Sequence, residues 1–467
     1  SAFGKLVGAS LSLDEFFSGV WEVLPRLLRC SEPGAAPSLP WGDLLLVFEA
    51  AKDPQRPTEV DLLVMEDSCP TSTYASCPAA YLAGCSVVIN HLDKIYEPVH
   101  KFCRALRGDL PHVFANMYLT PPQSQAVAPH ADDRDVVVLQ VAGKKCWKVY
   151  GDPPVPFPYP REQVGKLPEY PVPQRTLDSE PLIEATLCSG DVLYLPRGFV
   201  HEAHTSSLES LHLTFALATH DWSWASVLRD ALLSSGMHPE KSAQYAAELE
   251  QEECTLHGQW FWRRSVPPGL VCPGASDVAR KHARGLATIV AAERSEVLSA
   301  DLSEDLIAST FRAKIDRHNA RQDETLFPSK KAELSEACFV RRFKVDEQAQ
   351  RERGRRGQKP RRQQGLIARD EIQDTLLRTL AKIGTEPVRI SDFEDGPLIC
   401  SFSKICFAAV CVELGLLCVC DASGVRIVAG SHRGDGQEQL HCRAVVSQST
   451  RGGTKRKRDL RTQVQQG

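Results

Sequence analysis

From residue 84 to residue 217 the chain is broken into short apolar runs, which confines that stretch to a β-rich core. Residues 113–119 and 136–141 are bounded by Pro, Gly and Asn, and runs of that length with such borders read as strands. Strand character returns at 191–195 and 211–217, beyond a proline-rich stretch, 151–182, that reads as a long irregular loop. Ala142 and Gly143 followed by the alternating segment 144–150 have the pattern of a hairpin. Ahead of this region Leu13, Phe16, Phe17, Trp21 and Leu24 fall near one face of a helix over 11–29, ended by Pro25.

After Trp222 the apolar period lengthens. Val278, His282, Leu286, Ile289 and Val290 sit at helical spacing, as do Leu306, Ile307, Phe311 and Ile315, so 222–345 reads as a helical module. Residues 346–367 are a charged, glycine-containing linker. Beyond it a helix carries Ile372, Leu376, Leu377, Leu380 and Ile383, and a second helix runs through 405–414. A hairpin over 416–428 follows, turning at 421–424. Helix, helix and hairpin in that order predict a small winged-helix module over 368–428, followed by a basic, disordered tail over 429–467. A chain of 467 residues exceeds what one core usually organises, so a multidomain α+β protein is expected, with 1–221 as its first domain.

The formal net charge of -4 carries no message about nucleic acid, but the local distribution does. Arg351 to Arg362 and Lys455 to Arg458 are basic runs. They read either as solvated segments or as non-specific nucleic-acid contacts, and the second also as a nuclear import signal. The sixteen cysteines include no Cys-x-x-Cys pair, which argues against structural zinc and favours reduced thiols in an intracellular protein. Ser1-Ala-Phe-Gly-Lys5 lacks a charged start followed by an apolar run, so no secretory leader is expected. The most apolar stretch, 406–420, is short and interrupted by Glu413, so no membrane span is expected either.

The chemistry concentrates in the β-rich region. In Pro129-His130-Ala131-Asp132 the imidazole and the carboxylate lie two residues apart, and on a strand they face one point. That supplies two members of the facial triad used by non-haem iron(II) oxygenases. A second His-x-Asp, at His91 and Asp93, reads as a solvated turn. Lys145 shares a strand face with Trp147 and Val149, and an ammonium on an apolar face needs a reason. Either its head reaches water at the strand end, or it pairs with an anionic ligand. For the third ligand, Pro196-Arg197-Gly198 makes a tight turn that delivers His201. His204, in a polar loop, and His212, on a strand, are rivals that read as solvent-facing and as a core histidine.

Taken together, Asn116 to Gln125, Ala128 to Asp133, Leu139 to Trp147, Leu193 to His201, Leu211-His-Leu-Thr214 and the Phe16-Phe17…Trp21-Glu22…Pro25 opening resemble the JmjC-type ribosomal oxygenases. The resemblance is good over about 10–235 and weaker but collinear to about 420. It implies a double-stranded β-helix, a jelly-roll of the JmjC and cupin kind, then an α-helical dimerisation module and a winged-helix domain. It implies iron(II) held by His130, Asp132 and His201, and 2-oxoglutarate as cosubstrate with its distal carboxylate on Lys145. Asn116, Tyr118 and Thr214 fall at positions lining the cosubstrate pocket. The implied activity is hydroxylation of a protein side chain, a histidine of a ribosomal protein. Demethylation of a histone methyl-lysine by the same oxidative chemistry is the alternative, and a binding scaffold without turnover is a second one. A homodimer in the nucleus, in the nucleolus, follows from the same resemblance. The chain departs from the family pattern at Ala131, where relatives carry a bulky aromatic, at Ala126, at Ala216 and Ala218, and at Val88 in place of a basic residue.

Overall fold

The structure, a computed structural model, describes residues 1–8, 11–29, 36–252, 260–328, 334–344, 370–393 and 400–427. The linker 346–367 and the tail 429–467, with both basic runs, lie outside the described residues. The chain divides into two compact units, one of Ser1–Leu39, Ala50–Ser72 and Gly84–Pro328, the other of Pro40–Glu49, Thr73–Ala83 and Ser329–Gly467.

Among the described residues the first unit is built on ten antiparallel strands: β1 (Arg26–Arg29), β2 (Asp61–Glu66), β3 (Cys69–Pro70), β4 (Ser86–Asn90), β5 (Phe114–Thr120), β6 (Asp135–Tyr150), β7 (Pro181–Cys188), β8 (Asp191–Leu195), β9 (His201–His204) and β10 (Ser210–Leu217). They run in the order β1-β8-β6-β10-β5-β4-β2-β3, with β7 and β9 attached to β6. The expected hairpin at Ala142 and Gly143 does not form. The two runs are one strand of 16 residues. Its first half pairs with β8 and β10, and its second half, from Lys144, pairs with β7 and β9. Gly143 makes the passage from one sheet to the other possible. Its φ is +67°, and a Cβ there would lie 1.8 Å from the Glu209 carbonyl oxygen. Only glycine tolerates both conditions. The pairing slips at Leu211 and His212 beside it, and the Gln140 side chain closes the gap with bonds to Ala142 O (2.7 Å) and Ser210 Oγ (3.0 Å).

Residues from both halves of β6 meet in one apolar cluster. Val136, Val138, Trp147 and Val149 pack with Leu187 of β7, Leu193 and Leu195 of β8, Phe114 of β5 and Ala216 of β10. Each fully buried aliphatic or aromatic side chain contributes roughly 1.5–3 kcal/mol, so this cluster fixes the two layers of the antiparallel sandwich against each other.

The opening helix is shorter than its periodicity predicts. It spans Leu13–Gly19 and starts at a capping box in which Ser12 and Glu15 satisfy each other's backbone N–H groups. Trp21 then leaves the helix to stack on Tyr194, with centroids 5.9 Å apart at 14°, and 26–29 is drawn out as a strand against β8. Tertiary pairing overrides the helical period there. Beyond the sandwich come the helices Trp224–Ser234, Pro239–Gln251, Asp277–Leu298 and Glu304–Gln322, three of them capped by the side chains of Ser223, Ser276 and Ser303.

In the second unit the helices Asp370–Lys382 and Ser401–Leu414 accompany a sheet of three strands, β11 (Phe339–Arg342), β12 (Val388–Arg389) and β13 (Leu417–Cys420), in the order β12-β11-β13. Phe402, Ile405, Cys406 and Phe407 of the second helix are buried with Val419. After β13 the chain turns at Asp421, whose Oδ1 accepts from Ser423 N (3.0 Å) and Val425 N (2.9 Å), and returns to bridge Arg426 with Cys420. Four residues of β11, inside the stretch read as helical, are too few to show a period of two. The described cysteines are free thiols except Cys338, which is disulfide-bonded, against the expectation of a fully reduced set. No helix among the described residues is long and apolar enough to cross a membrane.

Candidate active site

His130 stands just ahead of β6 and His201 opens β9, and the two form an antiparallel bridge. His130 N donates to His201 O at 3.1 Å, and His201 N donates to His130 O at 2.8 Å. The turn before His201 is locked to the same segment, because Gly198 N donates to Asp132 O at 2.9 Å. Gly198 has a φ of +90°, and a Cβ there would meet Val155 O at 2.7 Å, so this tight approach also requires glycine. Beneath it Arg197 is fully buried. Its backbone N donates to Asp135 Oδ1 (3.2 Å), its guanidinium donates to Glu22 Oε1 (3.4 Å) and the Arg263 carbonyl, and Tyr194 OH donates to Asp135. Burial, then the Glu22 charge, raises the Asp135 carboxyl to about 7.

This backbone places three side chains on one point. His130 Nε2 lies 3.7 Å from Asp132 Oδ1, and His201 Nε2 lies 3.7 Å from Asp132 Oδ2. One nitrogen of each ring and a carboxylate oxygen all fall within 4.8 Å of one another. The imidazole orientation follows from the opposite ring edges. His130 Nδ1 faces Ala128 O at 2.7 Å and His201 Nδ1 faces Phe199 O at 3.0 Å. A carbonyl oxygen only accepts, so both Nδ1 atoms carry the proton and both Nε2 lone pairs face Asp132. Burial pushes His130 down to about 3, helped by the Lys166 ammonium and His201, and burial likewise lowers His201. For Asp132 burial works upward, but Lys166 and the two imidazoles outweigh it and hold the carboxyl well below its usual range. Two neutral imidazoles and one carboxylate on one side of a point form the donor set of a divalent non-haem metal with open positions, so these residues fit iron(II).

A cleft open to solvent, with about 480 Å³ of free space in and at its mouth, adjoins this point. Tyr118, Lys145, Trp147, His212 and Thr214 line it together with the three donors. Lys145 is 3 % exposed, and the hydrogen bond that its Nζ donates goes to Thr120 Oγ1 at 3.0 Å. Its head does not reach water at the strand end, and burial alone drives it down to about 7. The Trp147 indole nitrogen and His212 Nδ1 are buried without a partner among the described residues, and His212 stacks on Tyr118 at 4.9 Å and 1°. Unsatisfied polar groups beside a buried ammonium fit a polar, anionic ligand.

Not every sequence-selected residue joins this cleft. Asn116 does not line it, and its Oδ1 accepts instead from His91 N (3.0 Å). His204 is exposed. His212, a candidate core histidine by sequence, is buried but lines the cleft. The second His-x-Asp is no solvated turn, because Asp93 is wholly buried, accepts from Ala115 N (2.8 Å) and is raised by burial to about 7. Ala131, Ala216 and Val88 are buried and do not line the cleft, whereas Ala126 does. The sequence reading missed Thr120, although it lies two residues beyond Tyr118 on the same strand face, a spacing that points to it. It also missed Lys166, whose Nζ donates to Asp132 Oδ1 at 2.5 Å from inside the proline-rich loop and which no local pattern marks.

The family model described as the JmjC domain matches residues 89–225. A bifunctional lysine-specific demethylase and histidyl-hydroxylase NO66 of Culex quinquefasciatus is 32% identical over 244 residues, 48% of this chain and 35% of that protein. Ribosomal oxygenase 1 of Gallus gallus is 33% identical over 254 residues, 51% of this chain and 40% of its own length. The chain thus matches less than half the length of these relatives. The ribosomal oxygenase YcfD of Escherichia coli, solved with cobalt and 2-oxoglutarate, aligns over 88% of this chain and 98% of its own at 17% identity and a TM-score of 0.37. Residues 89–225 of this chain thus match the JmjC domain family.

Proposed function

We propose that this chain is an iron(II)- and 2-oxoglutarate-dependent oxygenase that hydroxylates a protein side chain, a histidine of a ribosomal protein. The observation that carries the reading is the convergence of His130, Asp132 and His201 beside a buried Lys145 in one cleft. Iron(II) and 2-oxoglutarate supply the oxidation, in which dioxygen converts the cosubstrate to succinate and carbon dioxide and one oxygen atom goes to the substrate. The protein's own contribution is orientation. The Nδ1 bonds to Ala128 O and Phe199 O fix both imidazoles, the ionised Asp132 supplies the negative charge, and Lys145 and Thr120 await the distal carboxylate. Asn116, also assigned to that pocket by resemblance, would act through the backbone of His91. The NO66 relative carries both hydroxylase and demethylase in its name, so demethylation of methyl-lysine remains the second reading.

The architecture in this reading is a double-stranded β-helix over 1–221, a dimerisation module over 222–345 and a winged helix over 368–428, in a nuclear, nucleolar protein. Val278, Ile289 and Val297, 69 %, 50 % and 63 % exposed on one side of the helix Asp277–Leu298, support a homodimer. Sedimentation at micromolar concentration should show twice the 51.6 kDa chain mass, and a single chain mass would contradict it. The linker and tail are offered as non-specific nucleic-acid contacts.

The activity is tested by incubating the protein with iron(II), 2-oxoglutarate and ribosomal or histone peptides, read by mass spectrometry. A gain of one oxygen on a histidine peptide supports hydroxylation, and formaldehyde release from a methyl-lysine peptide supports the second reading. Failure to form succinate with or without any peptide contradicts both.

A further inference from the structure

The proline-rich loop carries, beside the metal ligands, a charge that the proposed function leaves unused. Lys166 Nζ donates to Asp132 Oδ1 at 2.5 Å, with its side chain 36 % exposed against 17 % for Asp132. The loop that delivers it is held independently of this ion pair. Ala131 N donates to Val164 O at 2.8 Å, and Gly165 N donates to Tyr170 O at 2.6 Å. Val164, Ala131, Tyr150 and Val200 form a buried apolar cluster against which Tyr170 and Val172 pack. Gly165 has a φ of +79°, and a Cβ there would lie 2.5 Å from Pro129 O and 2.8 Å from His130 Cα. The loop therefore lies directly on the ligand strand, which is possible because residue 165 lacks a side chain and residue 131 has a small one.

We infer that Lys166 is an internal competitor for the metal site, holding Asp132 in the metal-free protein and released when a divalent cation binds. The inference rests on the metal reading given above. A metal-bound carboxylate oxygen lies roughly 2.0–2.2 Å from its ion. With an ammonium already 2.5 Å from Oδ1, the two cations would lie within about 4 Å of each other. Both cannot stay. The metal carries twice the charge and gains two imidazoles, whereas the lysine has water at its back and a flexible four-carbon stem, so the lysine leaves. The loop backbone remains docked through Val164 and Gly165, and Lys166 is kept close enough to return. The metal affinity of this chain is then set by residue 166, which does not itself ligate.

The test is titration of the full chain with manganese(II) alone, at neutral pH without 2-oxoglutarate, reading free ion by electron paramagnetic resonance. Lys166→Met should bind manganese at least tenfold more tightly than the wild type, and Lys166→Arg, which keeps the charge, should stay within about threefold of it. Residue 166 is partly exposed, so neither change should unfold the protein. Equal or weaker binding by Lys166→Met overturns the competitor while leaving the metal site standing. Equal tightening by Lys166→Met and Lys166→Arg overturns it as well, because charge would then not be what competes. Absence of saturable binding in all three proteins overturns the metal reading and this inference with it.

Discussion

Asp132→Ala abolishes metal binding and 2-oxoglutarate turnover while leaving the metal-free fold nearly as stable as before. Asp132 supplies the only negative charge among the three donors, and both imidazoles face it from 3.7 Å. Changes one layer removed from a metal cost about 10–100-fold in affinity, so loss of the anionic ligand itself should exceed 100-fold. The structural cost is small. Without Asp132 the imidazoles remain neutral, since burial holds both low, and Lys166 turns to the water it already meets. A partly exposed ion pair of this kind is worth about 0–1 kcal/mol, so unfolding midpoints should barely move. Calorimetric titration with manganese(II) and a thermal melt together check this. A variant that still binds metal with wild-type affinity would remove Asp132 from the site.

Lys145→Met should weaken 2-oxoglutarate binding by about 30-fold or more, because truncating one partner of a desolvated charge pair costs about 2–5 kcal/mol. The same change should make the ligand-free protein more stable. Burial lowers Lys145 from 10.5 to about 7, so the folded state disfavours the charged form. Between pH 7 and 10.5 the unfolded chain holds a proton at this site that the folded chain has released, and stability rises with pH across that window. Below it both states are protonated and the full cost of burying the ammonium is present. Binding of an anion has the opposite sign. It needs the charged lysine, so wild-type affinity for 2-oxoglutarate should fall as pH rises above about 7, and in Lys145→Met this pH dependence should vanish. Isothermal titration at several pH values reads both effects. A Lys145→Met protein with wild-type cosubstrate affinity would contradict the anchor.

The parts of this site that were legible in the sequence are those set by local period. Two residues of spacing put His130 and Asp132 on one face, alternation put Lys145 with Trp147 and Val149 indoors, and Pro196-Arg197-Gly198 announced the turn before His201. The parts that were not legible depend on what a strand meets. Gly143 reads as a hairpin residue, yet the Glu209 carbonyl beside it makes it a crossing point between two sheets. His91-Leu-Asp93 reads as polar surface, but the Ala115 N–H satisfies Asp93 inside the protein. Asn116 has the right strand face and spends its acceptor on His91. Lys166 is 34 residues from Asp132, and nothing in a proline-rich segment reveals that a packed alanine and a bare glycine let it reach that far. At Ala131, Ala216 and Val88, where the chain departs from the family pattern, the side chains are packed in the interior and do not line the cleft.

The central claim is that two imidazoles and a carboxylate bind one iron(II) with 2-oxoglutarate anchored alongside it. Anaerobic titration of the full chain with iron(II) and then 2-oxoglutarate tests it most directly, by the visible metal-to-ligand charge-transfer band of a chelated keto acid. A saturable band at one iron per chain, lost in Asp132→Ala and shifted to much higher 2-oxoglutarate in Lys145→Met, is the predicted result. No band in the wild type at saturating iron(II) and 2-oxoglutarate would contradict it.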